Sequence, residues 1–436
     1  MKYLKINGGK RLSGSISVHG AKNGVLPILS ACVLINGVSV IHNCPKLSDV
    51  DVTVDILRYL GAKVERENDT LIVDTSQIGR YDVLESYMKE LRSSIIFLGA
   101  LASRSGRACL YLPGGCEIGL RPIDLHLKGL KALGYNVYTD GHNVCAEKKK
   151  VKGTEIVLPF PSVGATENII LASVLAPGRT TIVNAAREPE IADLVKFLNK
   201  AGAKISGISA PTIVIDGVKS LHGVEHTVIP DRILATTLMS ACAITGGEIG
   251  LENLCPEHIM PTLPVFEEMG CRIDICTNSL RIKSPERLKR VKKIETMAYP
   301  GFPTDCQAPV MAALSVAKGT SIIKETIFEN RFKHIEQLNL FGTDISINDR
   351  IAVVNGVKNI HSADVKCTDL RGGAAVIIAA LKANGISTVK DIHHIDRGYE
   401  CIENQLTSLG ADIKRMYDEK EQQSKDEKRK YDGAAQ

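Results

Sequence analysis

The chain has 436 residues, more than one hydrophobic core usually supports, so two domains are expected. With 44% hydrophobic and 24% charged residues it is not a disordered chain, and aromatics at 4% with no Trp leave its cores to Ala, Val, Ile and Leu. The net charge of +5, from 54 basic and 49 acidic residues, lacks the clustered basic footprint of a nucleic-acid binder and is compatible with small anionic ligands.

The first residues, Met1-Lys2-Tyr3-Leu4-Lys5, read as the start of a strand and lack the apolar region of a signal peptide, so a cytosolic protein is expected. The apolar stretch over 28–41 is interrupted by Asn36 and Gly37 and falls short of the about 20 residues that cross a bilayer, so no membrane segment is expected. Six times an amphipathic stretch ends in, or close to, a hydrophobic-Gly-small triplet, at Gly61, Gly134, Gly202, Gly270, Gly342 and Gly410. The spacing of about 70 residues is that of one supersecondary unit, which makes this a six-repeat chain with three repeats per domain.

Each repeat opens with a strongly apolar helix, predicted over 24–34, 94–102, 166–176, 232–244, 305–317 and 371–383. A helix apolar nearly all round is buried on all sides. A Gly turn and a short strand follow, as in Gly37-Val38-Ser39-Val40-Ile41, and then a second, amphipathic helix that carries the glycine stop. In repeat three Ile191, Leu194, Val195 and Leu198 fall on one helix face between Pro189 and Gly202, and such helices are expected outside, over the sheet. A hairpin closes the unit, for example 63–66 with 70–74. The result is an α/β arrangement without Rossmann topology. After Lys414 the pattern stops, and 416–436, with its run Lys425-Asp426-Glu427-Lys428-Arg429-Lys430, reads as a solvated tail without a catalytic role. The twelve cysteines are scattered with no CxxC pair, so most are expected to be reduced, buried, small hydrophobes.

The starts of the apolar helices are where the repeats differ: Lys22-Asn23, Arg92-Ser93, Thr166-Glu167, Asp231-Arg232, Thr304-Asp305 and Asp369-Leu370-Arg371. Asp231, Thr304 and Asp369 suit helix capping. Capping does not explain Lys22, Arg92 and Arg371, cations at the positive end of a helix dipole, where a bound anion would make sense of them. The loop Leu112-Pro113-Gly114-Gly115-Cys116-Glu117-Ile118-Gly119-Leu120-Arg121 holds a cysteine beside an arginine on a backbone-exposed turn, a setting in which a thiol can serve as acid or nucleophile. Repeat six has Arg397 at the matching connection, where His393 and His394 are assigned no role. No metal-ligand spacing and no Walker or dinucleotide fingerprint occurs, which leaves chemistry without cofactor or metal on anionic substrates.

At these residues the chain resembles the UDP-N-acetylglucosamine 1-carboxyvinyltransferases, enolpyruvyl transferases of the EPSP synthase superfamily. The resemblance runs from about Tyr3 to Arg415, and its specific pieces are Gly20-Ala21-Lys22-Asn23, Leu112-Pro113-Gly114-Gly115-Cys116 with Arg121-Pro122-Ile123-Asp124-Leu125-His126, Ser162-Val163-Gly164-Ala165-Thr166, Phe302-Pro303-Thr304-Asp305, Phe328-Glu329-Asn330-Arg331-Phe332 and His394-Ile395-Asp396-Arg397-Gly398-Tyr399-Glu400. It implies two inside-out α/β barrels of three repeats each, one over 22–229 carrying the Cys loop and one of 1–21 plus 230–415, with the active site in the cleft between them. The implied reaction moves the enolpyruvyl group of phosphoenolpyruvate to the sugar 3-hydroxyl and releases phosphate. By resemblance, Cys116 is the general acid and also forms an adduct with phosphoenolpyruvate, Asp305 takes the sugar proton, and Asp369 lies close to the reacting carbon. Lys22, Asn23, Arg92, Arg121, Arg371 and Arg397 bind phosphoenolpyruvate, with Lys22 and Arg397 also catalytic. Asn23, Arg92, Arg121, Pro122, Ile123, Asp124, Leu125, Ser162, Val163, Gly164, Asp305 and Ile327 contact the nucleotide sugar. Phe160-Pro161 stands where many members have Lys-Val beside the uridine. The resemblance implies no partner beyond these two substrates: no nucleic acid, no membrane and no obligate protein partner.

Overall fold

The computed structural model describes residues 2–112, 119 and 122–417. The central helices form where the apolar periodicity puts them, as Lys22–Cys32, Phe97–Ser105, Val163–Ser173, Arg232–Thr245, Thr304–Leu314 and Leu370–Lys382. The second is led in by a 3₁₀ turn, Arg92–Ile96, so the segment predicted as one helix is two. Several of their hydroxyls are satisfied within the helix. Ser30, Ser173, Thr236, Ser240 and Thr245 each donate to the carbonyl four residues back, which removes the cost of burying them.

Around these helices stand six four-stranded sheets of one topology. In repeat three, Glu155–Val157 pairs in parallel with Arg179–Val183, which pairs antiparallel with Thr212–Asp216, which pairs antiparallel with Lys204–Ser206. Buried residues alternate with half-buried or exposed ones along Arg179–Val183 and Thr212–Asp216, as in a sheet with one face on a core. This is a mixed α/β fold built by repetition.

The chain divides into two compact units. One comprises the residues up to Val18, Arg232–Met297 and the residues from Phe302; the other comprises His19–Asp231 with Ala298–Gly301. Each closes on itself with a strand from outside its own repeat. In the second, Glu225–Thr227 follows repeat three and pairs in parallel with Val38–His42 of repeat one. In the first, Ser13–Ser17 pairs in parallel with Glu248–Glu252, and Lys2–Asn7 lies between Ile386–Lys390 and Asp412–Tyr417. That last pairing corrects the start of the tail: Met416 and Tyr417 continue the strand opposite Tyr3 and Lys2. The amphipathic helix Pro189–Lys200 is also more deeply placed than an outer covering helix, with Ile191, Leu194, Val195, Phe197 and Leu198 all buried. It packs against the central helix Lys22–Cys32, joining repeat three to repeat one.

Cys109 and Cys145, at opposite register positions on Arg107–Tyr111 and Asn143–Lys148, form a disulfide that sequence spacing does not reveal. Six of the other described cysteines are buried, and burial pushes the thiols of Cys44, Cys242, Cys271 and Cys306 up to about 12. Among the described residues no helix is long and apolar enough to cross a membrane.

All six repeat glycines have positive φ, from +82° at Gly342 to +109° at Gly61. At the end of Ile402–Ser408, the Gly410 N–H donates to the Thr407 carbonyl and the Ala411 N–H to the Leu406 carbonyl, a Schellman stop. A Cβ on Gly410 would have open space, its nearest neighbour being the Arg11 carbonyl oxygen at 4.0 Å, so substitution there tests backbone strain alone. Gly410→Ala is expected to lower stability by about 1–2 kcal/mol in chemical denaturation, and an unchanged midpoint would contradict the role of φ.

Candidate active site

In the unit of repeats one to three, Lys22 opens its central helix after Ala21, which has no side chain able to cap. Its N–H donates to Asp231 Oδ2 at 3.2 Å, and its ammonium lies 2.6 Å from Asp49 Oδ2, both side chains being buried. A carboxylate of the neighbouring helix Ser48–Leu60 therefore matches the cation at the positive helix end, a partner the sequence reading missed. Asn23 and Arg92 are half-buried, Arg92 at the head of the 3₁₀ turn.

Ser162 caps the third central helix, its hydroxyl accepting from the Ala165 N–H at 3.4 Å, and Val163 and Gly164 form the first turn. Pro122 and Asp124 are exposed, Ile123 half-buried and Leu125 buried at the start of Asp124–Ala132. His126 joins these segments. A Cβ on Gly164 would meet its ring at 3.2 Å, and its Nδ1 accepts from Asn168 Nδ2 at 2.9 Å. The same amide donates to the Ile95 carbonyl at 2.9 Å and accepts from the Gly99 N–H at 2.7 Å, which ties in the Arg92 turn. Burial pushes the imidazole down to about 4, so it is neutral and its Nδ1 is free to accept. Cys116 and Arg121 lie outside the described residues.

In the unit of repeats four to six, Asp305 in the first turn of its central helix is held through both carboxylate oxygens. Arg331 Nη2 donates to Oδ1 at 2.7 Å and Arg371 Nη2 to Oδ2 at 3.1 Å. Asp369 caps the sixth central helix, its Oδ1 accepting from the Arg371 and Gly372 N–H groups at 3.0 and 3.1 Å, with Arg331 Nη1 at 4.0 Å. Burial raises the Asp369 carboxyl, but the Arg331 charge and the two amides outweigh it and hold the group below its ordinary 3.8. His334 is fully buried against this cluster and pushed down to about 4 by burial, so it adds no charge. Arg371 also lies 5.4 Å from the Tyr399 ring centroid, a cation–π contact. Arg331 and His334 are functional candidates that pattern reasoning passed over, although Arg331 lies within a quoted motif.

The Asp231 carboxylate accepts from the Lys22 N–H, and Thr304 is not a cap. Pro303 holds the cap position, and the Thr304 hydroxyl donates instead to Glu325 Oε2 at 2.9 Å. Ile327 is exposed on the loop after Glu325. Arg397, half-buried, ends the short helix His393–Asp396, whose Asp396 is taken by Arg415 through two bonds of 2.8 and 2.7 Å. Asp305, Asp369 and Arg371 thus form one cluster. Among the described residues no group of three or more His, Cys, Asp or Glu is placed to hold a metal.

Six four-stranded sheets around buried helices, with charged groups at the helix N-termini, make a fold that enolpyruvyl transferases share. The chain superposes on the crystal structure of the enolpyruvyl transferase NikO from Streptomyces tendae with a TM-score of 0.87 at 26% identity, covering 95% of this chain and 99% of that one. EPSP synthase from Acinetobacter baumannii shares the fold, with a TM-score of 0.73 at 18% identity over 96% of this chain and 100% of that one. The chain belongs to the EPSP synthase (3-phosphoshikimate 1-carboxyvinyltransferase) family, whose pattern it matches over residues 6–406. Its relatives include UDP-N-acetylglucosamine 1-carboxyvinyltransferase 2 of Caldanaerobacter subterraneus, 50% identical over 416 residues, which cover 95% of this chain and all of the relative. UDP-N-acetylglucosamine 1-carboxyvinyltransferase 1 of Symbiobacterium thermophilum is 48% identical over 417 residues, 94% of each chain.

One buried acid yields a test independent of the reaction. Burial, then Glu190 and Glu188, raise the Glu167 carboxyl well above its ordinary 4.5. The folded chain therefore holds this proton more tightly than the unfolded one. Its contribution to stability is full below about pH 4.5 and is lost as pH rises through the folded-state value. Glu167→Gln is expected to flatten the fall of the denaturation midpoint above that pH; an unchanged slope would show that Glu167 does not carry it.

Proposed function

We propose that this chain transfers the enolpyruvyl group of phosphoenolpyruvate to the 3-hydroxyl of UDP-N-acetylglucosamine with release of phosphate, a step of peptidoglycan precursor synthesis carried out in the cytosol. The geometric observation that carries the reading is the Asp305 carboxylate clasped by Arg331 and Arg371 beside the Asp369 cap. Identity of 46–50% to carboxyvinyltransferases over nearly the whole chain supports the choice of acceptor.

A carboxylate with both oxygens on guanidinium groups is a poor base. An anionic phosphoenolpyruvate competing for Arg371 frees Asp305 Oδ2, while Arg331 keeps the group oriented. Asp305 then takes the proton as the sugar oxygen bonds to C2 of phosphoenolpyruvate, and Cys116 delivers a proton to C3. Loss of phosphate from C2 and of a proton from the new methyl group restores the double bond on the transferred unit. Lys22, Arg92, Arg121, Arg371 and Arg397 supply the charge that binds phosphate and carboxylate. Asn23, the 122–125 turn, Ser162 to Gly164 and Ile327 receive the nucleotide sugar, the 122–125 turn and Ser162 to Gly164 being joined through His126.

Phosphate release is expected only when both substrates are present, and not when shikimate 3-phosphate replaces the nucleotide sugar. Asp305→Asn should lower turnover by about 10²- to 10⁴-fold while folding normally. Near-native turnover in that variant would move the base role elsewhere, and turnover with shikimate 3-phosphate would overturn the acceptor. Cys116 is further expected to take one equivalent of the epoxide fosfomycin, faster when UDP-N-acetylglucosamine is bound. Peptide mass mapping that places the adduct on another cysteine, or full activity in Cys116→Ala, would remove Cys116 from the mechanism.

A further inference from the structure

In four repeats the strand with the parallel neighbour is followed by a left-handed Asn or Asp. These are Asn43, Asn184, Asn253 and Asp391, with φ between 50° and 59°. The three asparagines do one job: each donates from Nδ2 to the carbonyl of the first residue after the parallel neighbour, Val228, Leu158 and Val18, at 2.9, 3.0 and 2.7 Å. The bond pins the ends of two strands together.

Repeat five places Glu325 at this position, after Gly319–Lys324. The residue after its parallel neighbour Lys293–Glu295 is Thr296, and its hydroxyl donates to Glu325 Oε1 at 2.9 Å. The strand-end link is thus kept, and the longer acidic side chain reaches further. Its Oε1 also accepts from the Ile327 and Phe328 N–H groups at 2.8 and 3.1 Å, and its Oε2 accepts from the Thr304 hydroxyl at 2.9 Å. The side chain is 1% exposed, so a carboxylate is buried here with four donors aimed at it.

We infer that Glu325 is a positioning residue that holds the Asp305 helix and the Ile327 loop in one frame. Thr304 precedes Asp305, and Ile327 and Phe328 lead to Arg331, which binds Asp305 Oδ1. The loop is therefore tied at Glu325 and again at Arg331, and both ties end on the first turn of the same helix. An asparagine, as in repeats one, three and four, is one methylene too short to make all of these bonds. The inference rests on the reaction proposed above, in which Asp305 is the base and Ile327 a nucleotide-sugar contact.

The test is steady-state kinetics of the full-length enzyme with both substrates, alongside thermal unfolding. Glu325→Ala is expected to lower kcat and raise the KM for UDP-N-acetylglucosamine by about tenfold or more each, with the KM for phosphoenolpyruvate within about threefold of the parent. Glu325→Gln should recover both values to within about threefold, because its amide oxygen can serve the loop N–H groups and its nitrogen can donate to Thr304. Thr304→Val, which cuts only the helix tie, should lower kcat by about tenfold and leave the KM for the nucleotide sugar unchanged. Parent-like kinetics in Glu325→Ala, an equal rise in both KM values, or a Gln variant as impaired as the Ala variant would overturn the inference. If Glu325→Ala does not fold, an unchanged kcat in Thr304→Val overturns it alone. A parent enzyme that does not turn over the two substrates rejects the proposed reaction instead, which separates the two failures.

Discussion

A helix buried on all sides can carry few polar groups along its length, and yet its first turn still presents N–H groups without intrahelical partners. Each unit of this protein is organised around three such helices. The polar chemistry their cores exclude is concentrated at the N-termini, where a carboxylate, a cap or a bound anion is favoured by the helix dipole. Asp369 meets the need directly by accepting two N–H bonds, and Ser162 does so at its own helix. Lys22 is the reverse case, a cation in a place that repels one, held there by Asp49 at 2.6 Å. Repetition then supplies several equivalent helix ends, and the sequence is free to make each one different.

Burying these charges is costly, and the arrangement of the Asp305 cluster reflects that cost. Removing one partner of a buried ion pair leaves an uncompensated charge, which typically costs about 3–5 kcal/mol. Arg331 is 4% exposed and Arg371 2% exposed, so neither guanidinium can turn to bulk water for a substitute. The carboxylates that satisfy them are the same groups the proposed reaction uses. A substrate anion can take over a guanidinium without leaving it unpaired, so exchange of partners is cheaper than creation of a site. His334 fits this balance because burial keeps its ring neutral beside Arg331, which a second cation would disturb.

The repeat architecture was legible because it rests on local rules. Glycine at a left-handed helix stop is required by backbone sterics, and all six glycines read from the sequence occupy that conformation. The buried helices were legible from composition alone. What stayed hidden depends on residues far apart in the chain. The Asp49 partner of Lys22, the strand Lys2–Asn7 inside the sixth sheet and the Cys109–Cys145 bridge are set by tertiary register. Thr304 was misread for a related reason: a hydroxyl at a helix start suits a cap, but Pro303 takes that place and the hydroxyl is drawn to a carboxylate twenty-one residues away.

Comparing repeats by structural position, rather than by sequence, recovers part of what was hidden. The Asn that closes strand ends in repeats one, three and four is a scaffold device, since its bonds go only to backbone carbonyls. Where a position of that kind carries a different residue, the local need for a strand-end link still has to be met. Glu325 meets it through Thr296 and has a second carboxylate oxygen left over, which accepts from the helix start beside Asp305. Asn has no equivalent: its other side-chain group is already the donor of the link, and it is shorter by a methylene. The substitution therefore keeps the fold's requirement and adds a reach that the scaffold alone does not use. In a protein made of six similar parts, a residue that satisfies the shared constraint and exceeds it marks where one part has been given work the others do not do.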